Sequence, residues 1–159
     1  MRSRVVSTLA LGLTLGLGAC AAPSAPVPDA ETMADAGVPT PIMELELGAC
    51  INDASAPARA DTDTLLVVEC EEPHDSELYA ILAIEDSSFP GEAALTEEGS
   101  ARCAAVFGDF IGVDFRSSVL DFHFYHPTAS SWVEGDRSIY CMAIDPGLQL
   151  TGSLLGVQR

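Results

Sequence analysis

Cysteine placement limits this chain more tightly than any other feature. There are five cysteines in 159 residues. Cys20 closes an apolar leader, while Cys50, Cys70, Cys103 and Cys141 are spread over the remainder. Five cannot all pair, whereas the four beyond the leader can. A structural zinc site needs close pairs such as Cys-x-x-Cys, and no two of the four stand near one another. Disulfides are therefore expected, and no metal or other cofactor. Four cysteines can pair in three ways. Bridges of this kind persist only in an oxidising compartment.

The leader points to that compartment. Residues 1–19 begin with Arg2 and Arg4, and Val5 to Gly18 is an apolar stretch. It is shorter than the ~20 residues of a typical membrane span and has the layout of an export signal. Its end, Leu17-Gly18-Ala19-Cys20, is similar to the bacterial lipobox. That similarity implies cleavage before Cys20 and fatty acylation (palmitate) of its thiol. The chain is then expected at the cell membrane, lipid-anchored on the extracytoplasmic face, since two acyl chains hold where one does not. Residues 20–43, rich in Pro and Ala without an apolar period, read as a disordered tether, with only a short stretch around Asp29 to Ala36 open to a helical turn. Charge tells against other partners. All seven basic residues are Arg, against 24 acids, and losing Arg2 and Arg4 leaves 5 − 24 = −19. Such a surface repels nucleic acid and lacks a polybasic grip on anionic lipid. Without Lys there is no Ser–Lys dyad and no Schiff base.

Residues 44–157 form the folded part. Glu44-Leu45-Glu46-Leu47 alternates towards Cys50-Ile51, which predicts a first strand ending near Ile51. Asp61-Thr62-Asp63-Thr64 starts like a calcium loop, but Leu65 stands where an oxygen ligand belongs and the distal Glu is missing. Leu65 to Val68 and Leu78 to Ile84 predict strands on either side of a turn at Pro73. From Glu92 to Ile111, Leu95, Gly99, Cys103, Val106, Phe107 and Phe110 recur at steps of three and four, the face of an amphipathic helix, with Gly112 as its C-cap. Val119 to Tyr125 alternates, placing His123 and Tyr125 opposite Phe122 and Phe124. A helical turn at Thr128 to Trp132, a strand from Arg137 to Ile144 and an edge strand within Leu148 to Leu155 complete the reading. The fold class expected is α+β: a small antiparallel sheet with one main amphipathic helix on a face, and two disulfides. Of the three pairings we favour Cys50–Cys70, between neighbouring strand ends, and Cys103–Cys141, from the buried face of the helix to the sheet.

The chain turns on Val68-Glu69-Cys70-Glu71-Glu72-Pro73-His74-Asp75-Ser76-Glu77. Together with Leu47-Gly48-Ala49-Cys50, Cys103 and Trp132-Val133-Glu134-Gly135-Asp136-Arg137-Ser138-Ile139-Tyr140-Cys141, it resembles the septum-formation family of actinobacterial envelope proteins. The ending Thr151-Gly152-Ser153-Leu154-Leu155-Gly156 is similar too, so the likeness spans Leu45 to Gly156. It implies a link to the division septum and an envelope protein as partner. It brings no catalytic residues with it, and family alone does not give function. His74, Asp75, Glu77, Trp132, Asp136 and Arg137 form the candidate cluster, for binding or for bracing a turn. In the bracing reading His74 and Asp75 bond loop backbone, Arg137 pairs with a nearby acid and Trp132 packs beside the helix-to-sheet bridge. The leading expectation is a non-catalytic, lipid-anchored interaction domain, not an enzyme. The alternative is a metal-assisted envelope hydrolase centred on His74 and Asp75, with His123, His126 or Asp136 completing it. A small-solute binder would need a sizeable apolar pocket.

Overall fold

The computed structural model describes residues 37–53 and 63–159. The leader, Cys20, the tether up to residue 36, and Asp61 and Thr62 of the acidic loop lie outside the described residues. Six strands form one antiparallel sheet: β1 (Val38–Pro41), β2 (Cys50–Asn52), β3 (Thr64–Val68), β4 (Ser76–Ala83), β5 (Asp121–Tyr125) and β6 (Ser138–Ile144). Their spatial order is β1-β3-β2-β4-β6-β5. One long helix, α1 (Glu92–Ile111), and a short one, α2 (Ala129–Glu134), complete the main elements.

The bounds of α1 are those its periodicity predicts. Leu95, Gly99, Cys103, Phe107 and Ile111 are its buried residues, and Gly112 ends it in the left-handed conformation (φ 88°), where a side chain would be strained. Gly99 brings the helix close to the sheet, because a Cβ there would clash with the ring edge of Phe124. β6 runs between β4 and β5 and is covered on both sides. Ile139, Cys141 and Ala143 face the helix cluster with Tyr79 and Phe107, while Tyr140 and Met142 join Leu45, Ile51, Leu65, Leu78 and Tyr125 on the opposite face. The period of two thus builds two cores, one on each side of the sheet. β5 divides in the same manner: Phe122 and Phe124 lean on the helix cluster, and Tyr125 joins the other.

Both favoured disulfides are present, Cys50–Cys70 with Cα atoms 5.2 Å apart and Cys103–Cys141 at 5.6 Å. Cys103 and Cys141 are fully buried, so this bridge is inside the core between α1 and β6.

Three expectations need correction. The tether does not run to residue 43, because Val38–Pro41 is an edge strand paired with β3 from Val38↔Val67 to Pro41↔Thr64. Pro39 and Pro41 suit an edge, where a missing N–H costs no ladder bond. The alternation at Glu44 to Leu47 is not strand: Ile42–Glu44 is a 3-10 turn and β2 begins only at Cys50. Gly48, at φ 84°, turns the chain there, and its N–H donates to the Leu78 carbonyl at 2.8 Å. Leu148 to Leu155 is no edge strand either. It carries two isolated bridges, His74↔Leu150 and Asp145↔Leu148, and otherwise serves as a tail pinned to the hub.

Candidate functional site

The hub is the turn between β3 and β4, and its polar groups face inward. His74 is 0% exposed and Glu77 is 1% exposed. Pro73 ends the ladder, and Glu69 to Glu72 close a tight turn through Glu72 N–H to Glu69 O at 2.9 Å. His74 then exchanges two backbone bonds with Leu150, at 3.1 and 2.7 Å, while Gly152 donates its N–H to the Cys70 carbonyl at 2.6 Å. Glu77 holds the next part of the tail. Its carboxylate accepts from the Ser153 hydroxyl at 2.6 Å and from the Leu154 N–H at 2.5 Å. Charge-assisted bonds of this kind are the strong ones. Asp75 accepts from the Gln149 amide at 3.2 Å. The hub thus captures residues that come some seventy positions later.

The His74 ring has a defined tautomer. Its Nδ1 stands 2.8 Å from the Glu72 carbonyl oxygen. A carbonyl only accepts, so Nδ1 carries a proton and, in the neutral ring, Nε2 presents a lone pair. That Nε2 is buried and has no hydrogen-bond partner, as does Ser76 Oγ. The predicted bond from His74 to loop backbone is therefore present.

Asp136, Arg137 and Trp132 stand elsewhere. Ile84, just past the far end of β4, donates its N–H to the Arg137 carbonyl at 2.7 Å. Eight strand residues, about 25 Å of β4, separate this end from the hub. The six candidate residues therefore form two clusters, not one. Among the described residues Arg137 pairs with no acid side chain: its guanidinium donates to the carbonyls of Trp132 (2.6 Å) and Asp136 (2.7 Å) and lies 3.6 Å over the Trp132 ring. The reason is local. The left-handed Gly135 (φ 102°) ends α2 and presents these carbonyls to the next side chain. Trp132 joins the same core cluster as Cys103 and Cys141 and packs edge-on against Phe89. Asp136 is 4% exposed and accepts from Ser131 Oγ and the Ser138 N–H, both at 3.2 Å. Burial raises its carboxyl above the ordinary range, against the opposing pull of these two bonds and of Arg137 and His126.

A third cluster joins Asp53 to β5. His123 Nε2 is 2.9 Å and Tyr125 Oη 3.0 Å from one oxygen of Asp53. Burial first, then the adjacent Asp53 charge, pushes the Tyr125 phenol well up, so it stays a hydrogen-bond donor. Asp53 went unseen in the sequence because nothing there relates it to residues 70 positions away. His126 makes no bond to Asp53; it stands against Thr96 Oγ1 at 3.3 Å. The space among Tyr125, His126, Asp136 and Tyr140 is only about 20 Å³, which is room for about one water. Larger hollows lie on either side of the exposed Leu47: one of about 320 Å³ by Leu45 to Ala49, one of about 290 Å³ by Ile81, Val106 and Phe110. Both are open grooves.

Chemically, the arrangement braces more than it reacts. His74 and Glu77 are sealed from any substrate, and no hydrogen bond of His74 reaches His123, His126 or Asp136. One grouping was not foreseen. Cys50, His74 and Glu77 place a sulfur, a nitrogen and a carboxylate oxygen within 4.8 Å of one another. The β2–β4 register, which sets Cys50 opposite Glu77, makes this grouping, and sequence gives no signal for that pairing.

A family model described as "Septum formation" matches residues 21–144. Neither the curated proteins nor the solved structures contain a match.

Proposed function

The chain belongs to the septum-formation family, and from that premise we propose that it is a lipid-anchored, extracytoplasmic interaction domain serving septum formation or envelope assembly, without catalysing a reaction itself. The observation that carries this reading is the family match, which starts at residue 21, directly after the lipobox cysteine. Two further facts support it. The hub residues best suited to chemistry are buried and committed to holding the tail. The two disulfides suit an oxidising compartment. The partner is an envelope protein that meets the domain at the outer face of the membrane.

The test is a full-length fusion, with a fluorescent protein joined through a linker after Arg159, followed in dividing cells of the source organism. The label concentrates at the division site, and deletion of the gene disturbs septation. Even labelling of the cell outline with normal septa in the deletion strain removes the septal part of the reading. Cys20→Ser moves the protein from the membrane to the soluble fraction. A variant that stays membrane-bound removes the anchor.

A further inference from the structure

We propose that Cys50, His74 and Glu77 bind one zinc-like divalent ion once the Cys50–Cys70 bridge is reduced, so that the ion replaces the staple it displaces.

Three observations support this. The three donor atoms lie within 4.8 Å of one another. Donors of a tetrahedral zinc site, bound at 2.0 to 2.3 Å, are roughly 3.3–3.8 Å apart, so small side-chain rotations bring them to a common centre. Next, His74 is already set as a ligand. Its Nδ1 proton is held by the Glu72 carbonyl, and the opposite Nε2 lone pair is fully buried with no hydrogen-bond donor to meet it. Metal-bound imidazoles are oriented in this way by a backbone carbonyl on their other nitrogen, and a buried acceptor left unmet is otherwise costly. Finally, the bridge is unequal. Cys50 is 1% exposed, while Cys70 is only half-buried.

That inequality sets the chemistry. A thiolate of a dithiol reductant attacks the reachable Cys70 sulfur, the sulfur–sulfur bond breaks, and Cys50 leaves as a thiolate. The reductant's second thiol resolves the mixed disulfide, freeing Cys70 and leaving the reductant as a disulfide. The Cys50 thiolate is then beside the His74 ring and the Glu77 carboxylate. One thiolate, one imidazole and one carboxylate form a mixed donor set suited to an ion of borderline softness. Because the three ligands come from β2, the hub turn and β4, the ion ties β2 to the hub turn as the disulfide does, and β4 besides, and binding energy becomes folding energy. The Cys103–Cys141 bridge, buried at both ends, is out of the reductant's reach.

Two variants separate this from a merely structural bridge. Cys70→Ser and Cys50→Ser remove the same disulfide, but only the first leaves a thiolate in the site. Titrated with Co2+ as the probe, full-length Cys70→Ser gains one equivalent and a thiolate-to-cobalt absorption band, which Zn2+ then displaces. Cys50→Ser shows no band. The Cys70→Ser/His74→Gln double variant binds at least about tenfold more weakly than Cys70→Ser. Wild-type protein reduced with dithiothreitol is titrated alongside, with far-UV circular dichroism as the measure of fold. Equal spectra for the two serine variants overturn the proposal. So does a reduced wild-type chain that stays folded without taking up cobalt, or one that unfolds and is not restored by it.

Discussion

At the scale of single residues, the buried carboxylates carry most of the specificity. Glu77 is matched by two donors from the tail, Ser153 Oγ–H and Leu154 N–H. Glu77→Ala strands the Leu154 amide and is expected to cost about 2–3 kcal/mol. Glu77→Gln recovers most of that, because its amide oxygen still accepts from Leu154 and the Ser153 hydroxyl can reverse its role. Urea unfolding of the two variants, with exchange of the Leu154 amide hydrogen, checks both statements. Asp136 acts in the opposite sense. Burial raises its folded-state carboxyl above the ordinary value. The native state therefore holds that proton more tightly than the unfolded chain does, and the gain is fully present below the ordinary carboxylate range. It is lost as pH rises through the raised value, after which the cost is constant. Asp136→Asn keeps acceptors and donors for Ser138 and Ser131 but cannot titrate. Stability measured across acid pH should lose this falling segment in the variant.

At the scale of elements, the Cys103–Cys141 bridge and α1 form one unit. The bridge closes 38 residues, which by loop-closure entropy is roughly 4 kcal/mol. Replacing both cysteines with Ala should lower unfolding stability by about 3–4 kcal/mol, read by urea unfolding. A much smaller loss would mean that packing of Leu95, Phe107 and Ile111 already fixes the helix. This unit was the most legible part of the sequence. The step of three and four from Leu95 to Phe110 is local, and a buried cysteine on that face has few places to bond. The alternation of His123 and Tyr125 against Phe122 and Phe124 was legible for the same reason. β1 was hidden because two prolines in four residues argue against a strand unless it lies at an edge, and edge position is a property of the assembled sheet. Leu148 to Leu155 misled in the other direction: its leucines suggest a strand, yet Leu150 and Leu154 are buried in the helix-side core while backbone groups bond the hub. The candidate site was half visible. His74 and Glu77 stood out by composition, but Cys50 and Asp53 come to their partners only through long-range pairing.

For the whole molecule, charge and closure dominate. With 24 acids against seven arginines, and two Arg–carboxylate ion pairs among the described residues, the folded state repels itself. Raising salt from about 10 mM to 150 mM shortens the screening length from ~30 Å to ~8 Å, and the urea midpoint should rise with it. A falling midpoint would mean that the few ion pairs outweigh the repulsion. Closure has its own consequence in time. The amide that Glu77 accepts from is synthesised 77 positions after it, and the carbonyl and amide of Leu150 that clasp His74 come only slightly sooner. A nascent chain that has reached only α1 therefore carries a carboxylate and an imidazole with nowhere dry to go. Only when those closing residues follow do both groups meet their native partners.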